Sequence, residues 1–207
     1  VDMTRAGWLL LALLPVEAFA GTPEIVEAVE AKYAGVETLS AKFTQTTKSE
    51  LYGAGEQSGT VSLMRPAKMR WVFEGDGKQF VSNGSTMWIY NPADNQVLKY
   101  DDVSQSAASA DSLLQSLDRI SEIFEIELLE DTETAKRLSL KPKAADAQVK
   151  QIELVLNRDL VVQGVTILDA FDTSTALAFR EVKLDSKFPE GTFTFETPKG
   201  AEVISAN

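Results

Sequence analysis

Cysteine and histidine are both absent from the 207 residues. Without them there can be no Ser-His-Asp or Cys-His arrangement and no zinc site of the usual kind. No disulfide can form, so an exported domain of this composition must be held by its core alone. No GxxxxGK[ST] loop is present, which excludes nucleotide hydrolysis at a P-loop. Basic residues are also in short supply: 20 Lys and Arg stand against 31 Asp and Glu, for a formal charge of −11. Such a surface repels phosphate backbones and anionic lipid headgroups, so nucleic acid is not an expected partner. No apolar run approaches the roughly twenty residues that a membrane-spanning helix needs.

The longest apolar run, Gly7 to Val16, belongs to an address. Arg5 supplies a positive n-region before it, and Ala18-Phe19-Ala20 supplies a small-x-small cleavage pattern after it. Residues 1–20 therefore read as a signal peptide, and 21–207 as one exported domain. Removing the leader takes away one more acid than base, so the remainder stays strongly acidic. With no thiol to acylate at a lipobox, the cleaved chain is expected to be soluble.

One amphipathic helix is expected over 22–38, with Thr22 as its cap, Pro23 at the first position and Gly35 as terminator. From Leu39 the period changes to two. Short strands follow at Gly59 to Met64, Met69 to Phe73, Gln79 to Ser82, Met87 to Tyr90 and Val97 to Tyr100. Turn chemistry separates them: Arg-Pro, Gly-Asp-Gly, Ser-Asn-Gly-Ser and Asn-Pro-Ala-Asp-Asn. Such short connections make antiparallel neighbours. A second helical signal begins at a possible cap, Asp111, and sets Leu113, Leu114, Leu117, Ile120, Ile123 and Phe124 on one face. Alternation then resumes at Leu138 and runs through Val161 to Leu168 and Ala176 to Leu184, closing with a strand at Thr192 to Phe195.

Several of these strands are apolar on both faces. Trp71 and Phe73 oppose Val72, Met87 and Ile89 oppose Trp88 and Tyr90, and Val161 and Val165 oppose Val162. A sheet with one wet face would show polar residues at alternate positions. A strongly curved sheet follows, with one face under a helix and the other toward an interior. That interior is either a filled core or a partly empty apolar cavity. The carboxylates Glu125, Glu127, Glu130 and Asp131 suggest general acid-base work or calcium. Alternation instead puts Glu125 and Glu127 on a solvated strand face opposite Ile126 and Leu128, so no enzyme, cofactor or metal is expected.

An ordered set of segments resembles a known family. Phe43-Thr44-Gln45, Gly59 to Arg65-Pro66, Arg70-Trp71 and Ser82 to Pro92 look like the periplasmic outer-membrane lipoprotein carriers of the LolA family. Leu140 to Lys143, Asn157-Arg158-Asp159 and Phe193 to Gly200 are similar to that family in the same order. The resemblance implies a mainly β (α+β) fold, a half-open, incomplete antiparallel barrel whose hydrophobic cavity is covered by a lid of short α-helices. It implies a monomeric periplasmic chaperone that takes acylated lipoproteins from an inner-membrane releasing transporter of LolCDE type to an outer-membrane acceptor of LolB type. A related carrier of free lipid, glycolipid or a polyketide intermediate is the alternative. An acylated acceptor and a sensor with a second domain fit less well, and a secreted hydrolase is the contrast in class.

On that resemblance, Phe43, Val61, Leu63, Met69, Trp71, Phe73, Met87, Trp88, Ile89 and Tyr90 would line the cavity or its mouth. Leu113, Leu114, Leu117 and Ile120 would form the underside of the lid. Arg65 follows Val61 and Leu63 on one strand face, and Pro66 ends the ladder there. Its rigid fork of donors could reach carbonyls at a helix end or turn. The family's matching arginine latches the empty lid, and Arg65 is expected to do the same. Met69 stands where the family has a large apolar residue near the mouth that contacts the transporter. Arg70 should point outward and is assigned no site role.

Overall fold

The computed structural model describes residues 21–50, 53–102, 110–144 and 148–206. The expected signal peptide lies outside these residues. Twelve strands form one sheet: β1 Thr38–Ser49, β2 Gly53–Met64, β3 Lys68–Phe73, β4 Gln79–Asn83, β5 Met87–Asn91, β6 Gln96–Tyr100, β7 Phe124–Asp131, β8 Ala135–Pro142, β9 Val149–Asn157, β10 Val162–Asp169, β11 Ser174–Leu184 and β12 Glu202–Ala206. Their spatial order is β12-β6-β5-β4-β3-β2-β1-β11-β10-β9-β8-β7. All neighbours are antiparallel except β12, which runs parallel to β6. The two ends of the sheet, β12 and β7, do not pair, so the barrel stays open.

Alternation explains which face is covered. Leu39, Ala41 and Phe43 of β1, Val61 and Leu63 of β2, and Met69, Trp71 and Phe73 of β3 are all buried on one face. Leu138, Leu140, Ile152, Leu154, Leu156, Leu177 and Phe179 continue it across the other half of the sheet. Helix α1, Thr22–Tyr33, lays Ile25, Val26, Val29 and Tyr33 on this face. Beside it lie α2 (Ala110–Gln115), a 3-10 turn (Leu117–Arg119) and α3 (Ile120–Ile123). Gly59 is the tight point of this layer. A Cβ there would stand 2.0 Å from the Val72 carbonyl oxygen and 2.9 Å from the Phe43 ring.

Four local readings are corrected. Helix α1 ends at Tyr33, short of 38, and Gly21 instead of Thr22 occupies its N-cap. Helix α2 starts at Ala110, ahead of Asp111. Val162 and Val165 do not oppose each other: a register shift between Val162 and Gly164 turns both into the core. Residues 192–195 form no strand; Thr194 N–H donates to the Gly191 carbonyl in a turn, and the last strand is β12.

That irregular C-terminal segment crosses the convex face. Trp88 stacks on Phe195 with ring centroids 5.8 Å apart, and Tyr90 tilts toward the same ring at 6.3 Å. Arg70 Nη1 donates to the carbonyls of Thr192 and Thr194, at 3.0 and 3.2 Å. Val81 and Val97, cross-strand partners of Trp88 and Tyr90, are fully buried in this second layer.

Candidate lid and latch site

The rim of the concave face is made where β2 turns into β3. Arg65 ends the β2 row and Pro66 interrupts the strand, while Ala67 adopts φ of 54°. The Arg65 guanidinium makes two directed contacts. Nη1 donates to the carbonyl of Tyr33, the last residue of α1, at 3.1 Å. Nη2 donates to Asp118 Oδ1, in the 3-10 turn, at 2.9 Å. Both side chains are partly covered, at 23 % and 30 % exposure, so this ion pair is screened less than one on an open surface.

A second clasp lies next to the first. Ala67 N–H donates to Gln115 Oε1 at 2.8 Å, and Ser82 Oγ donates to the Ala67 carbonyl at 2.8 Å. The turn is thus held from the helices by one side chain and from β4 by another. Tyr33 is 1 % exposed and its hydroxyl accepts from Val162 N–H at 3.1 Å. Burial pushes its phenol above the ordinary tyrosine value, against a smaller lowering by that hydrogen bond. The group stays neutral and keeps α1 pinned to β10.

Seven of the ten expected lining residues share the concave side and are buried: Phe43, Val61, Leu63, Met69, Trp71, Phe73 and Met87. Phe43 meets Trp71 and Phe73 edge-on, at 5.0 and 5.2 Å between centroids. Ile89 is half-buried against the same cluster. Trp88 and Tyr90 are corrected: they alternate with Met87 and Ile89, so the pleat sends them to the convex face under Phe195. Leu113, Leu114, Leu117 and Ile120 all join the concave core, which makes α2, the 3-10 turn and α3 an apolar cover. These two sets of side chains pack against each other, so the cover lies directly on the concave face. Beside Arg65 a small, open cleft remains, lined by Tyr33, Val36, Leu39, Leu63, Leu114 and Gln115 among others.

Met69 is 5 % exposed and faces the interior, beneath the helical cover. Glu125, Glu127, Glu130 and Asp131 are all exposed on β7. Asp118 and Gln115 carry no signal in the sequence, and neither does the hydroxyl contact of Tyr33. Their contacts with the turn and with β10 span 53, 48 and 129 positions and leave no local pattern.

Residues 34–196 match the sequence profile described as "Outer membrane lipoprotein carrier protein LolA". An outer-membrane lipoprotein carrier protein of Bordetella avium is 30 % identical over 199 residues, covering 94 % of this chain and 93 % of its own. One from Azotobacter vinelandii is 33 % identical over 175 residues, covering 81 % and 82 %. Among solved structures, an uncharacterised conserved protein from Thermus thermophilus superposes with a TM-score of 0.56 at 17 % identity, over 89 % of this chain and 98 % of its own. That likeness concerns the fold. No helix among the described residues is long and apolar enough to cross a membrane.

Proposed function

The chain belongs to the LolA family of outer-membrane lipoprotein carriers, and from that premise we propose that it shields lipoprotein acyl chains across the periplasm without an energy source of its own. Each methylene of an acyl chain costs about 0.8 kcal/mol to hold in water, so a multiply acylated protein does not cross an aqueous space unaided. The concave layer of Phe43, Val61, Leu63, Met69, Trp71 and Phe73 offers a broad apolar surface in exchange. Burial follows area more than direction, so such a surface accepts chains of differing length.

The observation that carries this reading is the Arg65 contact pair. A purely structural arginine at a hairpin turn would stay solvated. Arg65 instead ties the end of α1 and the 3-10 turn to the rim of the very face those helices cover. Closed helices and cargo compete for one apolar face. A ligand shifts two conformations only by its differential affinity for them, so a stronger latch means a weaker grip on cargo. Weak grip suits a carrier that must surrender its load. Cargo arrives from a LolCDE-type transporter and leaves to a LolB-type acceptor, with Met69 meeting the transporter once the cover lifts. Residues 1–20 direct export and are removed.

Native mass spectrometry of the protein isolated from periplasm tests this. A bound acylated lipoprotein supports the reading. A free lipid, glycolipid or polyketide intermediate in its place would keep the carrier and change the cargo.

A further inference from the structure

The open sheet has two free ends, and they are built differently. At one end β7 carries Glu125, Glu127, Glu130 and Asp131, all exposed, and its register with β8 shifts between Leu128 and Glu130. Charge and a bulge are common means of keeping an edge strand from pairing. On its concave side Phe124 and Leu128 are buried in the core, with α1 and α3 packed beside the strand. That end is both guarded and covered.

At the other end β12 has neither device. Its register with β6 is unbroken, it holds no proline, and Glu202 is its one charged residue. Val203 and Ile204 are 46 % and 38 % exposed. Among the described residues no strand pairs with its outer side. Glu202 N–H donates to the Asn95 carbonyl at 3.0 Å, so Glu202 and Ile204 turn their backbone groups toward β6. Alternation then leaves the N–H and C=O of Val203 and Ser205 facing outward. The concave face leads to this edge. Trp71, Phe80, Ile89, Leu98 and Ile204 are direct cross-strand partners in one row from β3 to β12. Trp71 is buried, Phe80, Ile89 and Leu98 are half-buried, and Ile204 is exposed, so the row becomes more open toward β12.

Building on the carrier reading, we propose that the outer edge of β12 binds peptide, and that its occupant is the extended polypeptide following the acylated residue of the cargo. Acyl chains on the apolar row leave a peptide that must pass out of the sheet at one of its open ends. Helices, carboxylates and a bulge obstruct the β7 end. The β12 end presents outward main-chain groups beside the last apolar side chain of the row. An added strand gains its affinity from main-chain hydrogen bonds, so the edge holds the peptide without demanding one sequence.

Two fluorescent synthetic ligands separate anchor from peptide. One is a triacylated cysteine followed by about eight uncharged residues, and the other is the same anchor followed by a single residue. The unaltered protein should bind the longer ligand about fivefold or more tightly than the shorter. Ser205→Pro removes an outward N–H and leaves the pairing with β6 in place. It should bring the longer ligand down to the affinity of the shorter, which itself stays within about twofold. Ser205→Ala keeps the N–H and should keep the preference. A second measurement uses the unaltered protein, with longer ligands N-methylated at alternate residues in either phase. One phase should lose the preference and the other retain it, because only one side of an added strand faces β12. Equal affinity for the two ligands, a preference that survives Ser205→Pro, or the same result in both N-methylated phases overturns the proposal. Self-association of the unloaded protein that Ser205→Pro abolishes would assign the edge to a second copy and also overturn it. Failure of the carrier reading looks different: the unaltered protein would bind neither ligand, and this inference would fall with it.

Discussion

Replacing Arg65 by leucine removes both guanidinium contacts and leaves a side chain identical to that of Leu63, two positions before it. A hydrogen bond from a charged donor contributes about 1.5–3 kcal/mol when buried. The Tyr33 and Asp118 contacts are partly open to water, and exposed ion pairs contribute about 0.2–1 kcal/mol. A combined contribution to the closed form of about 2 kcal/mol follows, roughly a thirtyfold change in the closed-to-open ratio. Apparent cargo affinity is the intrinsic affinity reduced by the fraction of open form, so Arg65→Leu should hold cargo up to about thirtyfold more tightly. The assay is transfer of a fluorescent triacylated lipopeptide from the carrier to purified acceptor or to acceptor-bearing vesicles. The Arg65→Leu protein should load normally and release more slowly. Arg65→Lys, which keeps charge but loses the fork, should fall between. Equal affinity and equal hand-over in Arg65→Leu would refute the competition between cover and cargo.

Four further outcomes follow from the packing. Gly59→Ala places a methyl group against the Val72 carbonyl and the Phe43 ring, and should cost about 1–3 kcal/mol in chemical unfolding, the usual range for overpacking. Tyr33→Phe leaves Val162 N–H buried without its acceptor and should cost about 1–3 kcal/mol by the same measurement. Because burial raises the Tyr33 phenol, the stability it contributes is complete below about pH 10, the value for an unfolded tyrosine, and is lost as pH rises through the higher native value. Absorbance of tyrosinate should therefore show one of the four tyrosines ionising late, together with unfolding. Phe195→Ala strips the cover from Trp88 and Tyr90 and should destabilise the fold by about 2 kcal/mol in chemical unfolding while lipopeptide binding is kept. Loss of binding in that variant would mean the convex face takes part in carriage.

The concave face is legible in the sequence because the period of two is strict there: Val61, Leu63, Met69, Trp71 and Phe73 fall on one side and all are buried. Arg65 is legible too, since Pro66 marks the strand end and parity sets the direction of the side chain. Parity also separates Trp88 and Tyr90 from Met87 and Ile89, but it does not say which side is the core. A second apolar layer under Phe195 makes both sides greasy. The start of β2 gives no strand signal, because Gly53, Ala54 and Gly55 have little strand preference. Pairing with Ser49, Lys48 and Thr47 of β1 holds them extended. Parallel β12 is hidden for another reason: no short turn announces it, and the segment from β11 must first cross the convex face. The acceptors of Arg65 lie in a carbonyl and a 3-10 turn that only the folded chain brings to the rim.

On the proposed carrier reading, a polar latch bears on a greasy exchange because cover and cargo claim the same apolar face. With the helices down, Leu113, Leu114, Leu117 and Ile120 are each 4 % exposed or less against the concave face. Burying each contributes about 1.5–3 kcal/mol, so the cover as a whole gains several kcal/mol from that contact. Acyl chains entering beneath it gain about 0.8 kcal/mol per methylene from the same surface. On the carrier reading one apolar partner replaces another, so the burial lost by the cover subtracts from the gain of the load. The cover also makes contacts that cargo cannot imitate, namely the Arg65 guanidinium on the Tyr33 carbonyl and Asp118 carboxylate, and the Ala67 amide on Gln115. A few directed hydrogen bonds, modest beside the buried area, would on that reading tune how readily the cover yields the face to the load.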